Sequence, residues 1–337
     1  MRLLAIPLFR ILGISLFLAL KSVLAVEIGY RWVIHDLSRL PDPEVTCMTK
    51  DDLGNKWFGT HKGLAQLSKF GDWKNFTLEN TSGGLRSNSV TAIAMGENRE
   101  LWVATDGGGV SWFANGSWKN FSRENTSNGL PDNAVTSLAI GKEEKWFGTK
   151  NGFAMLRGTS WTTYTGEKVS GRLPHKIVTA IAIDSTGEKW IGTIAGLVRF
   201  SGSSWNLVTK ETTNGGLPHN SITYLTIGPK GEKWVGTQLG VARLVGNNWT
   251  SYKGDPGMQE MAAELVYSLT VEKSGVLWAS LKGGALRYDG TSWTTYTKNN
   301  TTGIQTRYVY AVMPGDAGEV WFGTQKGIVQ MVPLPEE

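Results

Sequence analysis

The chain has 337 residues, with 42 Gly, 15 Trp, one Cys and a formal net charge of +5. Abundant Gly and aromatic residues, with no Ala- or Leu-rich stretch beyond residue 25, point to tight turns and pleated strands and argue against a helical protein. A single Cys excludes an internal disulfide, and Arg2, Arg10 and Lys21 supply three of the five excess charges, so residues 26–337 carry only +2 and the case for a nucleic-acid or membrane-surface partner falls away.

Residues 1–25 read as a secretory signal peptide. A basic start with Arg2 and Arg10 leads into an uncharged apolar run, 11–20, and then to Val23-Leu24-Ala25, a small-x-small site. Ten uncharged residues fall short of the roughly 20 that a spanning helix needs. Cleavage after Ala25 is expected, which places residues 26–337 in the periplasm or outside the cell as one domain. The alternative is an uncleaved anchor that begins near Leu3 and tolerates Arg10.

The first predicted strand covers residues 29–36, with Trp32 at its centre, and its partner is taken up below. Cys47 follows within an apolar strand pattern, where a buried thiol is the expected reading. From there one motif recurs, Trp-x-Gly-Thr-x-x-Gly and its variants. Its tryptophans are Trp57, Trp102, Trp146, Trp190, Trp234, Trp278 and Trp321, spaced by 45, 44, 44, 44, 44 and 43 residues. A second series, Trp73, Trp118, Trp161, Trp205, Trp249 and Trp293, follows each of the first six by 15 or 16 residues.

One unit shows the plan. Residues 178–183 alternate as strand a, and Asp184-Ser-Thr-Gly187 turns the chain. Strand b is 189–193, strand c 197–200 and strand d 205–208, with Gly/Ser-rich turns between them. Four short antiparallel strands make one propeller blade. Such a unit has two apolar faces and needs neighbours on both, so the tryptophans are expected to pack between blades. Within the motif, repeat two reads Ala104-Thr105 and repeat six Ala279-Ser280 at the Gly-Thr place.

The seventh unit lacks its strand d, since a Trp is due near 336 and the sequence there is Pro-Glu-Glu. Trp32 supplies it. Leu40-Pro41-Asp42 before Val45 repeats Leu130-Pro131-Asp132 before Val135, which marks residues 29–36 as a strand d. The expected fold is therefore all-β: a seven-bladed β-propeller of four-stranded antiparallel blades, closed by the N-terminal strand pairing with residues near 327–332. Closure of this kind removes an open sheet edge.

At Leu173-Pro174, Val178, Asp184-Ser-Thr-Gly187, Trp190-Ile-Gly-Thr193 and Gly196-Leu197 the chain resembles the two-component regulator propeller repeat family. The resemblance runs from about Gly29 to Val332. It implies an extracytoplasmic sensor module, often fused to a histidine kinase and often tied to carbohydrate sensing. Residues 1–337 show no kinase motif and no second membrane segment, so sensing implies a separate partner, a membrane kinase or another protein.

In a propeller the d-to-a and b-to-c connections share the face around the central channel. Seventeen residues separate Trp118 from Val135, and the same spacing recurs at Trp73–Val90, Trp161–Val178, Trp205–Ile222 and Trp249–Val266. Loops held on a rigid scaffold concentrate binding residues. The candidates are Arg86, Asp132, His175, Lys176, His219, Arg307 and Tyr308 on the long loops, and His61, Lys62, Asp106, Lys150, Gln238, Lys282 and Lys326 on the short turns. This rim is mixed and somewhat basic. It suits a polar or anionic ligand such as a uronate-bearing oligosaccharide, or else is an ordinary solvated rim or a protein-docking scaffold. Asn88, Asn133 and Asn220 are expected to brace the loops instead, bonding their own backbone. Residues 254–265 break the loop pattern, and 259–265 has helix-forming composition, which suits either a lid over the face or a different way to span the same distance.

The sequence carries no metal-ligand spacing, no phosphate loop and no Gly-x-Ser-x-Gly, and no cofactor is expected. A polysaccharide or streptogramin-like lyase is the enzymatic alternative, because His61, His175 and His219 map to one face in three different blades, and Arg307 and Tyr308 map to that face too. Eight Asn-x-Ser/Thr triplets read as loop composition.

Overall fold

The computed structural model describes residues 29–253, 258 and 263–335. The expected signal segment, 1–25, and most of the irregular loop at 254–265 lie outside the described residues. Seven four-stranded antiparallel sheets form a ring. Blade 1 comprises Val45–Lys50, Lys56–Thr60, Gly63–Leu67 and Trp73–Phe76, and blades 2 to 6 repeat that order. Blade 7 takes Val309–Pro314, Val320–Thr324 and Gly327–Pro333 from the C-terminal part, and Tyr30–Ile34 as its strand d. In the closing pair Tyr30 faces Pro333 and Ile34 faces Val329.

Seven apolar clusters fill the seven junctions between blades. Each holds one Trp from strand b of one blade against the next blade, as with Trp190 of blade 4 on Ile222 and Val235 of blade 5. These tryptophans are 1–4 % exposed, so the first series is core. Trp118, Trp161 and Trp249 of the second series pack under loop glycines. A Cβ on Gly84 would lie 2.5 Å from Trp118, and one on Gly303 would lie 2.1 Å from Trp32. Trp32 thus occupies the strand-d Trp place of blade 7 by contact as well as by register. Trp112, outside both series, is half-buried and faces Trp102 across strands b and c.

The motif residues have distinct physical reasons. The Gly of strand b receives the first residue of the next blade: a Cβ on Gly192 would sit 2.6 Å from Ile222 Cγ2. The Thr that ends strand b donates to the carbonyl that opens strand c, as Thr193 does to Gly196 at 2.8 Å. Register corrects repeat six. Ser268 pairs with Ser280 and Val266 with Leu281, so Ser280 stands at the Gly place and Leu281 at the Thr place. The aligned Ala279-Ser280 reading was displaced by one residue, because Leu281 hides the Thr.

Turn acids complete the blade junctions. Asp184 accepts from Trp190 Nε1 at 3.5 Å and Lys233 Nζ at 3.1 Å, the latter from the next blade. Lys233 also lies over the Trp190 ring. The Lys189–Glu144–Trp146 contacts repeat the arrangement one junction earlier.

Strand a lines the channel, and in every blade it bulges after its first residue. The bulge leaves the second residue out of the ladder. That residue is Thr in blades 1 to 5: Thr46, Thr91, Thr136, Thr179 and Thr223. Thr46 and Thr179 hydroxyls donate to the carbonyls of Val90 and Ile222 on the next blade, at 3.0 and 2.7 Å. Among the described residues no helix is long and apolar enough to cross a membrane.

Candidate functional site

The candidate rim residues do share one face. Backbone bonds tie each short turn to the next long loop, as Asp106 N to Ser89 O, Lys150 N to Ala134 O, Gln238 N to Ser221 O and Lys282 N to Leu265 O. Around the ring many of these side chains are engaged locally. Lys62 pairs with Asp42 at 2.8 Å and Lys150 with Asp106 at 2.9 Å. His61 stands 3.8 Å from Glu44, and Arg307 3.7 Å from Glu264. Among the described residues Arg86, Lys176, Lys282 and Lys326 form no ion pair and are exposed, as is Gln238.

His175 and His219 have a structural task. Nδ1 of His175 accepts the Ile177 N–H at 3.0 Å, and Nδ1 of His219 accepts the Ser221 N–H at 2.9 Å. Asp42 and Asp132 do the same at the same repeat position, to Glu44 N and Ala134 N. In a neutral ring an accepting Nδ1 leaves the proton on Nε2, which then only donates. His35 stacks on Trp321 and its pKa is lowered by burial, so it belongs to the closing strand.

The loop asparagines brace the long connections, although they reach further than adjacent backbone. Asn88, Asn133 and Asn220 each accept an N–H ten residues earlier, from Leu78, Arg123 and Lys210, all at 2.7 Å. Their amide groups donate to Glu79, Glu124 and Glu211. Asn80 and Asn125, in two of the Asn-x-Ser/Thr triplets, bond the loop backbone as well.

The regular ring breaks at blades 6 and 7. There the second residue of strand a is Tyr267 and Tyr310, where the other five blades have Thr. The two rings meet edge to face at 5.1 Å, and Tyr308 lies against Tyr310 at 6.2 Å. All three tyrosines are half-buried. Burial raises the Tyr267 phenol, with Tyr308 and Glu264 adding to it. Tyr310 is pushed up to about 12, by burial first and then by Glu44, Tyr267 and Tyr308. Arg307 and Tyr308 were legible as candidates from the sequence. Tyr267 and Tyr310 were missed because both read as ordinary strand aromatics. The signal was there, since only these two depart from the Thr column.

Two chambers occupy the channel, of about 220 and 580 Å³. The smaller lies against the second to fourth residues of strand a and is lined by Tyr267. The larger opens on the opposite face, among the a-to-b turns of blades 6 and 7. Tyr224 lines both. It is the one bulky residue at a position that is Cys47, Ala92, Ser137, Ala180, Ser268 and Ala311 in the other blades, and with Met48 and Val312 it stands between the two chambers. The larger chamber is the less promising site, because four of its five charged residues, all but Lys273, already have partners within the fold. Lys50 pairs with Asp316, Glu272 accepts from Trp278 Nε1 at 2.7 Å, and Glu319 accepts from Trp321 Nε1 at 3.4 Å. The tyrosine mouth is what the repeat does not explain. Among the described residues no cluster of His, Cys, Asp and Glu could hold a metal ion.

No protein-family model matches the chain, and no curated protein does. Solved structures do. The chain is similar to the extracellular domain of a hybrid two-component system protein of B. thetaiotaomicron, with a TM-score of 0.77 and 18 % identity over 91 % of this chain and 42 % of that one. It therefore spans about two fifths of that chain's length. It is also similar to streptogramin B lyase, with a TM-score of 0.67 and 16 % identity over 91 % of this chain and 99 % of that one. A catalytically inactive virginiamycin B lyase from Staphylococcus aureus, solved with quinupristin, aligns with a TM-score of 0.70 and 15 % identity over 90 % of this chain and all (100 %) of that one. At these identities the likeness establishes the fold, a propeller shared by extracellular domains of two-component systems and by lyases.

Proposed function

We propose that the chain is an exported, sensor-like propeller that binds a polar, carbohydrate-type ligand at the channel mouth of blades 6, 7 and 1. The observation that carries this reading is the cluster of Tyr267, Tyr308 and Tyr310, the first and last of them set where the repeat otherwise places Thr. Aromatic faces with a few polar groups around them are the usual composition of a small-ligand site. A sugar ring offers C–H faces for the rings and hydroxyls for Arg307, Glu264, Glu44 and His61. The character of residues 1–25 supports export, and the fold shared with extracellular two-component domains supports a sensor-type role. A membrane kinase or another protein would read the occupied face.

Binding is favoured over lyase chemistry by two of the three rim histidines. A general base needs a free lone pair near the reacting proton. In His175 and His219 that lone pair already accepts a backbone N–H.

The test is a thermal-shift screen of the secreted protein against acidic and neutral oligosaccharides, with ultraviolet absorbance followed for unsaturated product. Stabilisation without product formation is expected, and its loss when Tyr267 and Tyr310 are both changed to Thr. Product formation, or a shift that survives the double change, contradicts the proposal.

A further inference from the structure

We infer that the ligand at the tyrosine mouth carries a positive charge, an amine on a sugar, recognised by Glu44 and Glu264 on either side of the rings. The inference rests on the carbohydrate reading of the mouth for the sugar part of its chemistry.

The rim is basic by composition, but its cations stand outermost. The side chains of Arg307 and His61 are 57 % and 53 % exposed, while those of Glu264 and Glu44 are 28 % and 34 % exposed. The acids are thus the more buried member of each pair. The contacts between them, 3.7 and 3.8 Å, are longer than charge-assisted hydrogen bonds, which close to about 2.7–2.9 Å. Each carboxylate therefore keeps accepting capacity that its exposed partner does not fill.

Both carboxylates act on the tyrosines. After burial, Glu44 is among the groups that raise Tyr310, and Glu264 among those that raise Tyr267, so each lies close enough to its ring to act on a charge held there. Aromatic faces attract a cation through the ring quadrupole, and two half-buried carboxylates strengthen that attraction. An anionic sugar would meet the opposite field. This changes the expectation drawn from composition, in which a uronate was the example.

The test uses the full secreted chain and isothermal titration with three short oligosaccharides of matched length: glucosamine, N-acetylglucosamine and galacturonate oligomers. The glucosamine oligomer is expected to bind at least about tenfold more tightly than the acetylated one, and to weaken as salt rises. Glu44→Gln and Glu264→Gln, which keep shape, should each weaken it about three- to tenfold and weaken the acetylated oligomer clearly less, so that the preference for the free amine shrinks. Tyr310→Thr should weaken every oligomer that binds. Equal or tighter binding of the acetylated or galacturonate oligomer, lost in Tyr310→Thr, would overturn the charge assignment and leave the site standing. If no oligomer binds in a manner sensitive to Tyr310→Thr, the site reading fails and the inference with it.

Discussion

Replacing Asp184 with Asn removes one charge from a blade junction and nothing of its volume. The Asp184 side chain is 4 % exposed and that of Lys233 is 19 % exposed. Burial on its own would raise the Asp184 carboxyl. The hydrogen bonds from Thr186 and Lys233, with the Lys233 charge, outweigh it and hold the group down at about 2, against an ordinary 3.8. At about 1.4 kcal/mol per pKa unit, that depression corresponds to a ceiling of about 2.5 kcal/mol. Screening at the lysine end reduces the expected value to about 1–2 kcal/mol. The sign follows from the direction. A depressed carboxyl contributes stability that is complete above the unfolded value of 3.8 and is lost as pH falls through 2. Urea unfolding of wild type and Asp184→Asn should therefore differ by about 1–2 kcal/mol near neutral pH, and the gap should close as pH drops from about 5 to 2. Other carboxylates titrate in both proteins and cancel in the difference. A gap that does not change with pH, or no gap, would refute the account of the junction.

Three further outcomes follow from the same structure. Gly192→Ala should cost about 1–3 kcal/mol in urea or thermal unfolding, since its new methyl would meet Ile222 at 2.6 Å; an unchanged melting temperature would contradict the packing role given to that Gly. Removing residues 26–38 strips strand d from blade 7, takes Trp32 off Phe322 and opens the edge at Gly327–Pro333, so the product should aggregate or unfold, as scattering and circular dichroism would show. Cys47, expected as a buried thiol, is half-buried on the wall of the smaller chamber, where desolvation pushes its thiol up to about 12; it should react with thiol reagents at pH 8 far more slowly in the native than in the unfolded protein, and equally rapid labelling of the two would be the contrary result.

Blade count, strand order and ring closure were legible in the sequence because they rest on period and on residue chemistry that repeats. Trp32 could be matched to Trp118 by the Leu-Pro-Asp element that follows each, and the register bears the match out. Leu281 shows where such reading fails. One residue at the Thr place did not resemble the motif, and the alignment of repeat six moved by one to compensate. The site was less legible for a related reason. Charged loop residues advertise themselves, so Lys62, Lys150, His175 and His219 stood out, yet the structure gives each a local task in a turn or ion pair. Tyr267 and Tyr310 are strand residues among many aromatics. They become notable only when the bulge shows that their position faces out of the ladder and that Thr is its usual occupant. Tyr224 was missed likewise, since its column of small residues appears only once strand a is placed around a channel.

The central claim is that binding resides where the repeat is broken, at the tyrosine mouth. The double change Tyr267→Thr and Tyr310→Thr restores the residue found in the other five blades, so the ring itself should be spared. Titration calorimetry of this variant and the wild type, with whichever oligosaccharide stabilises the wild type, is the direct measurement. The account predicts an unchanged melting temperature without ligand and a loss of affinity of at least about tenfold. Undiminished affinity in a folded double variant would contradict it.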